Sequence, residues 1–131
     1  MVVAADGALT LAIVPTSRSL DLKRLAAAVG ARRAVMAEPA DAERATGYLV
    51  GGISPIATTR RMRVVLDVPA ASLERVFVSA GRRGLQVSLR PEDLVATVGA
   101  TVALISAARA DTQCRLRKVK LNIDKVKALV R

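Results

Sequence analysis

The sequence predicts an α/β fold, a single domain around a mixed or largely antiparallel sheet. Hydrophobic residues make up 52% of the 131-residue chain but aromatics only 2%, so the core must be built from Ala, Val and Leu. Such side chains suit thin, tightly packed α/β layers better than an aromatic β-sandwich. Short β-type runs and short capped helices are interleaved with no internal repeat. Nor do they follow the even strand–helix–strand rhythm of a parallel sheet. A chain of this length buries a real core, and its apolar content excludes a disordered segment.

Each element has a local reason. Val2–Ala5 is a β-type run, Asp6-Gly7 is a turn pair, and residues 9–14 alternate apolar with small side chains up to Pro15. Together they predict a hairpin. Ser19 or Asp21 caps a helix carrying Leu22, Leu25, Ala26 and Val29, and Gly30 stops it. Residues 33–36 form a short strand. Pro39 opens a second helix over 40–46, and Gly47 closes it. Residues 64–67 are a strand and 69–73 a helical turn. Val76–Ser79 and residues 85–89 are two strands joined by Ala80-Gly81-Arg82-Arg83-Gly84. Pro91 begins a helix with Glu92 and Asp93 in its first turn, where carboxylates suit the helix dipole. Gly99 ends that helix, and residues 101–105 form a last strand.

Beyond Ala108 the composition changes. Residues 109–131 hold eight Lys or Arg against two Asp, which is +6 of the net charge of +10. Val119, Leu121 and Ile123 alternate with Lys118, Lys120 and Asn122, and Asp124 starts a short helix with Val126, Leu129 and Val130 on one side. The organisation expected is a domain over 1–108 and a basic extension over 109–131. The extension is either a solvated terminal segment or an added phosphate-contacting arm.

Charge and missing residue types narrow the function. With 21 Lys and Arg against 11 Asp and Glu, the first partner to expect is a polyanion, nucleic acid before others, a solvated Arg-rich surface being the plainer alternative. One Tyr and one Phe exclude a base-stacking platform, so contacts go to phosphate or to a shaped RNA end. The chain has no histidine, which removes Ser-His-Asp and Cys-His nucleophile systems. The lone Cys114 cannot supply a catalytic zinc site or an internal disulfide. Its presence alone fits a reducing, cytoplasmic location. No apolar run approaches a membrane span and no signal peptide is visible, so neither a membrane nor a cofactor is expected.

The polar constellations are loops. Gly51-Gly52-Ile53-Ser54-Pro55 lies between a helix end and a strand. Paired glycines let a ligand approach the main chain, and successive N–H groups there can form an anion-binding concavity. The stretch matches neither a dinucleotide nor a P-loop fingerprint, and by itself reads as a structural turn sooner than as a site. Residues 78–85 put Ser79 at a strand end beside Gly81, Arg82 and Arg83, which is either a hairpin turn with exposed arginines or a site. Thr58-Thr59-Arg60-Arg61 is a third polar cluster, solvated or facing RNA.

ATGYLVGGISP at 45–55, Arg60-Arg61-Met62 after it, and VSAGRRGLQVSL at 78–89 resemble the YbaK/EbsC-type aminoacyl-tRNA deacylases, relatives of the editing domain of prolyl-tRNA synthetases. The likeness also takes in LDLKRLAAAVGA at 20–31 and VMAEPADAERATG at 35–47, and runs to about Ile105. It implies a compact domain with a curved, mostly antiparallel or mixed sheet and short surrounding helices. It implies metal-independent trans-editing, the cleavage of the ester of a mischarged tRNA, typically Cys-tRNA(Pro). The partners implied are the aminoacylated 3′ end of tRNA and prolyl-tRNA synthetase.

By the same resemblance Gly51, Gly52, Ile53, Ser54 and Pro55 position the aminoacyl ester, with Ser79 and Gly81 completing the pocket. Arg60, Arg61, Arg82 and Arg83 guide the tRNA end, and a cysteine substrate's own thiol serves as nucleophile. Two departures qualify it. The family's key lysine lies in a Lys-Thr pair that here falls just before Met1, and Lys23 matches only a helix-surface position. The first third of the family fold precedes that point as well. The basic tail extends past where members usually stop; smaller differences are Ala80 for a usual glycine and Gln86 for a variable position. The expectation is weak or no deacylation by residues 1–131 alone. The competing expectations are a non-catalytic basic tRNA- or partner-binding remnant, and assembly through an exposed sheet edge.

Overall fold

The computed structural model describes residues 1–108 together with the backbone of 128–129. The expected features of the basic extension, Cys114 included, otherwise lie outside the described residues. In chain order the elements are β1 (Val2–Ala5), β2 (Ala8–Pro15), β3 (Arg18–Leu20), α1 (Leu22–Val29), β4 (Ala34–Met36), α2 (Pro39–Thr46), β5 (Arg63–Asp67), α3 (Val68–Ala71), β6 (Val76–Ser79), β7 (Gln86–Leu89), α4 (Pro91–Val98), β8 (Thr101–Ala103), β9 (Ser106–Ala108) and β10 (Ala128–Leu129).

Asp6 and Gly7 both adopt left-handed backbone, φ 49° and 86°, so the β1–β2 connection has the primed turn geometry that matches strand twist. The register runs Val2↔Leu11 to Ala5↔Ala8. β4 adds antiparallel to the other edge of β1, while β5 joins β2 in parallel and β8 joins β5 in parallel, giving the order β4-β1-β2-β5-β8. Parallel neighbours need long crossovers. β2 returns to β5 through β3, α1, β4 and α2, and β5 returns to β8 through α3, the antiparallel β6–β7 ribbon and α4. Because the crossovers themselves contain strands, an even rhythm is not visible in the sequence.

Both faces of the sheet are covered, which explains the near-continuous apolar runs of its central strands. Leu11 and Ile13 of β2 and Val64 and Leu66 of β5 face Ala42, Ile53, Val76, Val78 and Leu94. The alternate residues Ala12, Val14 and Val65 face Leu25 and Ala26 of α1 and Ile105. Of the two expected caps for α1, Asp21 caps it, accepting from the N–H groups of Lys23 and Arg24 at 3.0 and 3.2 Å. Gly30, Gly47 and Gly99 end α1, α2 and α4 in the left-handed conformation, as anticipated.

Three details differ from expectation. β3 and β9 pair antiparallel where the sequence suggests loop. β8 stops at Ala103 because the chain bends to serve Asp67, which is fully buried at the end of β5. The Ile105 N–H donates to Asp67 Oδ1 at 3.0 Å and the Ser106 hydroxyl donates to Oδ2. Arg18 Nε in turn donates to Ser106 Oγ at 2.6 Å and Arg24 Nη1 to the Ser106 carbonyl at 2.7 Å. A buried carboxylate without such donors would be strongly destabilising, so this network fixes where the chain crosses to β3. Finally, Ala128–Leu129 is extended against Val14 and Pro15, not helical. β2 outruns the pairing of both β1 and β5 there. Among the described residues no helix is long and apolar enough to cross a membrane.

Candidate functional site

The loop between α2 and β5 is pinched at its neck. Thr59 N–H donates to the Thr46 carbonyl at 3.1 Å and Arg60 N–H to the Ala45 carbonyl at 2.9 Å. Thr46 is buried, and its hydroxyl donates to the Ala42 carbonyl at 2.8 Å and accepts from Tyr48 N–H at 3.2 Å. Across the loop the Tyr48 hydroxyl donates to the Ile56 carbonyl at 2.6 Å. Glu43 on α2 accepts from Val50 N–H at 2.9 Å. Ile53 drives into the core with no exposed surface, and Ser54 is buried beside it, its hydroxyl accepting from Ile56 N–H at 3.2 Å. A segment of mixed glycine and proline is thereby held at both ends, across its middle and by a side-chain anchor.

The second glycine-rich segment docks on the first. The β6–β7 turn closes through Ala80 N–H to the Leu85 carbonyl at 3.0 Å and Leu85 N–H to the Arg82 carbonyl at 3.1 Å. Gly81 N–H then reaches across to the Gly52 carbonyl at 3.0 Å. The approach is so close that a Cβ on Gly52 would stand 2.8–2.9 Å from the backbone of Arg82. Gly51 and Gly81 have φ of 100° and 102°, and a Cβ on Gly81 would press on the Tyr48 ring at 3.2 Å. The Arg83 side chain lies over Gly51. These glycines are required by backbone contact and backbone angle together. The two stretches, each of which could be read alone as a turn, are one construction.

That construction leaves donors free. Among the described residues the N–H groups of Gly51, Ile53 and Ser54 have no hydrogen-bond partner. Ser79, buried at the end of β6, makes no side-chain hydrogen bond, yet no described buried side-chain atom is an enclosed orphan, so its hydroxyl keeps contact with solvent. Near-consecutive free amides suit a carbonyl oxygen or a developing oxyanion. Among the described residues no group of three or more Cys, Asp or Glu is placed to hold a metal ion. Lys23 is the only lysine before residue 109 and is exposed on α1.

The expected residues thus fall into two groups. Gly51 to Pro55, Ser79, Gly81, Arg82 and Arg83 come together. Arg60 and Arg61 line a separate cavity with the β1–β2 turn, which none of the first group touches. Tyr48, whose hydroxyl and ring brace both halves of the cradle, had no role in the sequence reading. Its being the chain's one tyrosine, next to a helix-closing glycine, was the available signal.

The chain belongs to the aminoacyl-tRNA editing domain family, which it matches over residues 1–97. It is 36% identical over 96 residues to EbsC of Enterococcus faecalis (strain ATCC 700802 / V583), provisionally named a Cys-tRNA(Pro)/Cys-tRNA(Cys) deacylase; the match covers 73% of this chain and 58% of EbsC. It is 30% identical over 84 residues to the multifunctional Ser/Thr-tRNA deacylase ProXp-y of Escherichia coli (strain K12), covering 63% of this chain and 50% of that protein. The chain therefore spans little more than half the length of these curated relatives. A crystal structure provisionally described as a trans-editing enzyme for prolyl tRNA synthetase matches with a TM-score of 0.75 at 25% identity, covering 82% of this chain and 68% of that one.

Proposed function

We propose that this chain is the acyl-end-binding part of an aminoacyl-tRNA deacylase that edits in trans, working in the cytoplasm on tRNA released by prolyl-tRNA synthetase. The observation that carries the reading is the docking of Gly81 on Gly52, which sets the loop with the free amides against the turn that follows Ser79. Family membership and the names of the relatives supply the substrate class.

In this reading the amides of Gly51, Ile53 and Ser54 hold the ester carbonyl and stabilise charge developing on its oxygen. Ser79 donates to the same acyl group. On a cysteinyl ester the substrate's sulfur attacks the carbonyl carbon and the bond to the ribose oxygen breaks. The thiol proton goes to the departing ribose oxygen, which becomes a hydroxyl, and cysteine leaves as a cyclic thioester. Serine and threonine hydroxyls are weaker nucleophiles at neutral pH, so their esters would leave more slowly.

The test is single-turnover release of labelled amino acid from Cys-tRNA(Pro), with Ser-tRNA and Thr-tRNA alongside. Release of cysteine above the protein-free rate, lost in Gly52→Ala, is expected. Release at the protein-free rate from all three substrates would overturn the reading.

A further inference from the structure

The cradle leaves a second feature unused. At the β1–β2 turn a cavity of about 640 Å³ opens, lined among others by Asp6, Gly7, Gly30, Arg60, Arg61 and Arg63. Among the described residues a Cβ on Gly7 or Gly30 would meet nothing within 4 Å, so none of their atoms fills the space beside them. Its one carboxylate is committed elsewhere. Asp6 Oδ2 accepts from Arg32 N–H at 2.9 Å and Oδ1 from Arg33 N–H at 3.0 Å, which anchors the chain entering β4. Arg63 Nη1 donates to the Val29 carbonyl at 2.8 Å, closing the end of α1. The guanidinium groups of Arg60 and Arg61 are exposed and make no hydrogen bond or ion pair among the described residues. Arg32 and Arg33, also exposed, follow the cavity-lining Ala31 on the segment that Asp6 holds. Five arginines with a single carboxylate among them make this end of the sheet a concentrated positive field around open space.

We propose that this arginine-rimmed cavity is an RNA-backbone site, distinct from the cradle, that takes the phosphodiesters next to the acylated end. The identity of the polyanion rests on the deacylase reading; the site itself rests on the cavity and its unpaired guanidinium groups. Three features favour a polymer over a single small anion. The charge extends past the cavity to Arg32 and Arg33, the arginines are exposed rather than enclosed, and guanidinium suits phosphate oxygens. The connection to the cradle is covalent and short. Arg60 N–H bonds the Ala45 carbonyl, Ala45 lines the cavity, and the next residues begin the cradle loop.

The experiment is fluorescence anisotropy of a labelled RNA stem with a single-stranded 3′ end, over a series of salt concentrations. It compares the full chain, the Arg60→Gln/Arg61→Gln variant, and the wild type in the presence of AMP or inorganic phosphate. Residues 109–131 are common to all, so their charge cancels in the comparison. The double variant is expected to bind roughly tenfold or more weakly, with a salt slope reduced by about 1.4 to 1.8 for two lost phosphate contacts, and to melt like the wild type. An unchanged slope, or no RNA binding by the wild type, would overturn the proposal. So would AMP or phosphate binding as tightly as the RNA, which would make this a small-anion site. The deacylation assay judges the cradle separately: a fallen slope without deacylation keeps the RNA site and sinks the enzymatic reading.

Discussion

The cradle at Gly51–Gly52 and the arginine-rimmed cavity lie at either end of one loop and are built by opposite means. In the cradle, backbone rests on backbone: the Gly81 N–H meets the Gly52 carbonyl, and there is no room for one more carbon between Gly52 and Arg82. In the cavity, side-chain charge surrounds space that no atom of the described residues fills. Contact geometry acts over a few ångströms and suits a small acyl group whose carbonyl must be placed. Unpaired guanidinium groups act over longer distances and suit a polyanion that must first be captured. The two glycines Gly52 and Gly7 express the contrast: one has ordinary backbone angles and no space, the other has space and a left-handed backbone.

Gly52→Ala is the strongest way to break the cradle. The new methyl group cannot displace a flexible side-chain tip, because what it meets is the backbone of Arg82. The two loops must separate, at about 1–3 kcal/mol by analogy with overpacking elsewhere. Thermal or urea unfolding should register that loss, and acyl release should fall to the protein-free rate. Wild-type stability in this variant would show that the loops do not rest on each other.

Gly7→Ala should weaken the protein for the other reason. The methyl enters open space, but φ of 86° is unfavourable for a residue with a Cβ. The expected loss is about 1–2 kcal/mol, and Gly7→Asn, which tolerates this conformation better, should recover part of it. Unfolding of the pair sharpens the comparison: if Ala and Asn are equally harmful, space rather than backbone angle governs the turn.

These contrasts also mark what the sequence could and could not convey. The caps at Asp21, Gly30, Gly47 and Gly99, the Asp6-Gly7 turn and the two hairpins are local, and each was legible from a few adjacent residues. β3 and β9 were not. Each spans three residues, and their pairing brings Arg18 to Ala108 through a buried Asp67–Ser106–Arg18 chain that no local pattern announces. The parallel pairing of β2, β5 and β8 was hidden by strands inside the crossovers. At the site, the residue types in both glycine-rich stretches were legible. What was not legible from their composition is that they touch, and that Arg60 and Arg61 belong to a different cavity from Arg82 and Arg83.

Tyr48→Phe tests the brace rather than the contact. It removes one hydrogen bond, from the hydroxyl to the Ile56 carbonyl, and keeps the ring against Gly81. The expected loss is about 0.5–1.5 kcal/mol, less than for Gly52→Ala. A larger loss in an unfolding titration would mean that the hydroxyl, not the glycine contact, holds the cradle shut.

Ser79→Ala should be the smallest change to stability and the most informative about chemistry. Its hydroxyl serves no described partner and keeps contact with solvent, so removing it orphans nothing. The folded protein should unfold within about 0.5 kcal/mol of the wild type. If the hydroxyl donates to the acyl group, single-turnover release should nonetheless slow by about tenfold, the equivalent of one hydrogen bond of roughly 1.4 kcal/mol. RNA affinity and its salt slope should stay unchanged, because no part of the arginine-rimmed cavity involves β6. Slower release with unchanged stability and RNA binding would assign Ser79 to the acyl group alone. Unchanged release would remove Ser79 from the cradle's chemistry and leave the amides of Gly51, Ile53 and Ser54 to hold the ester by themselves.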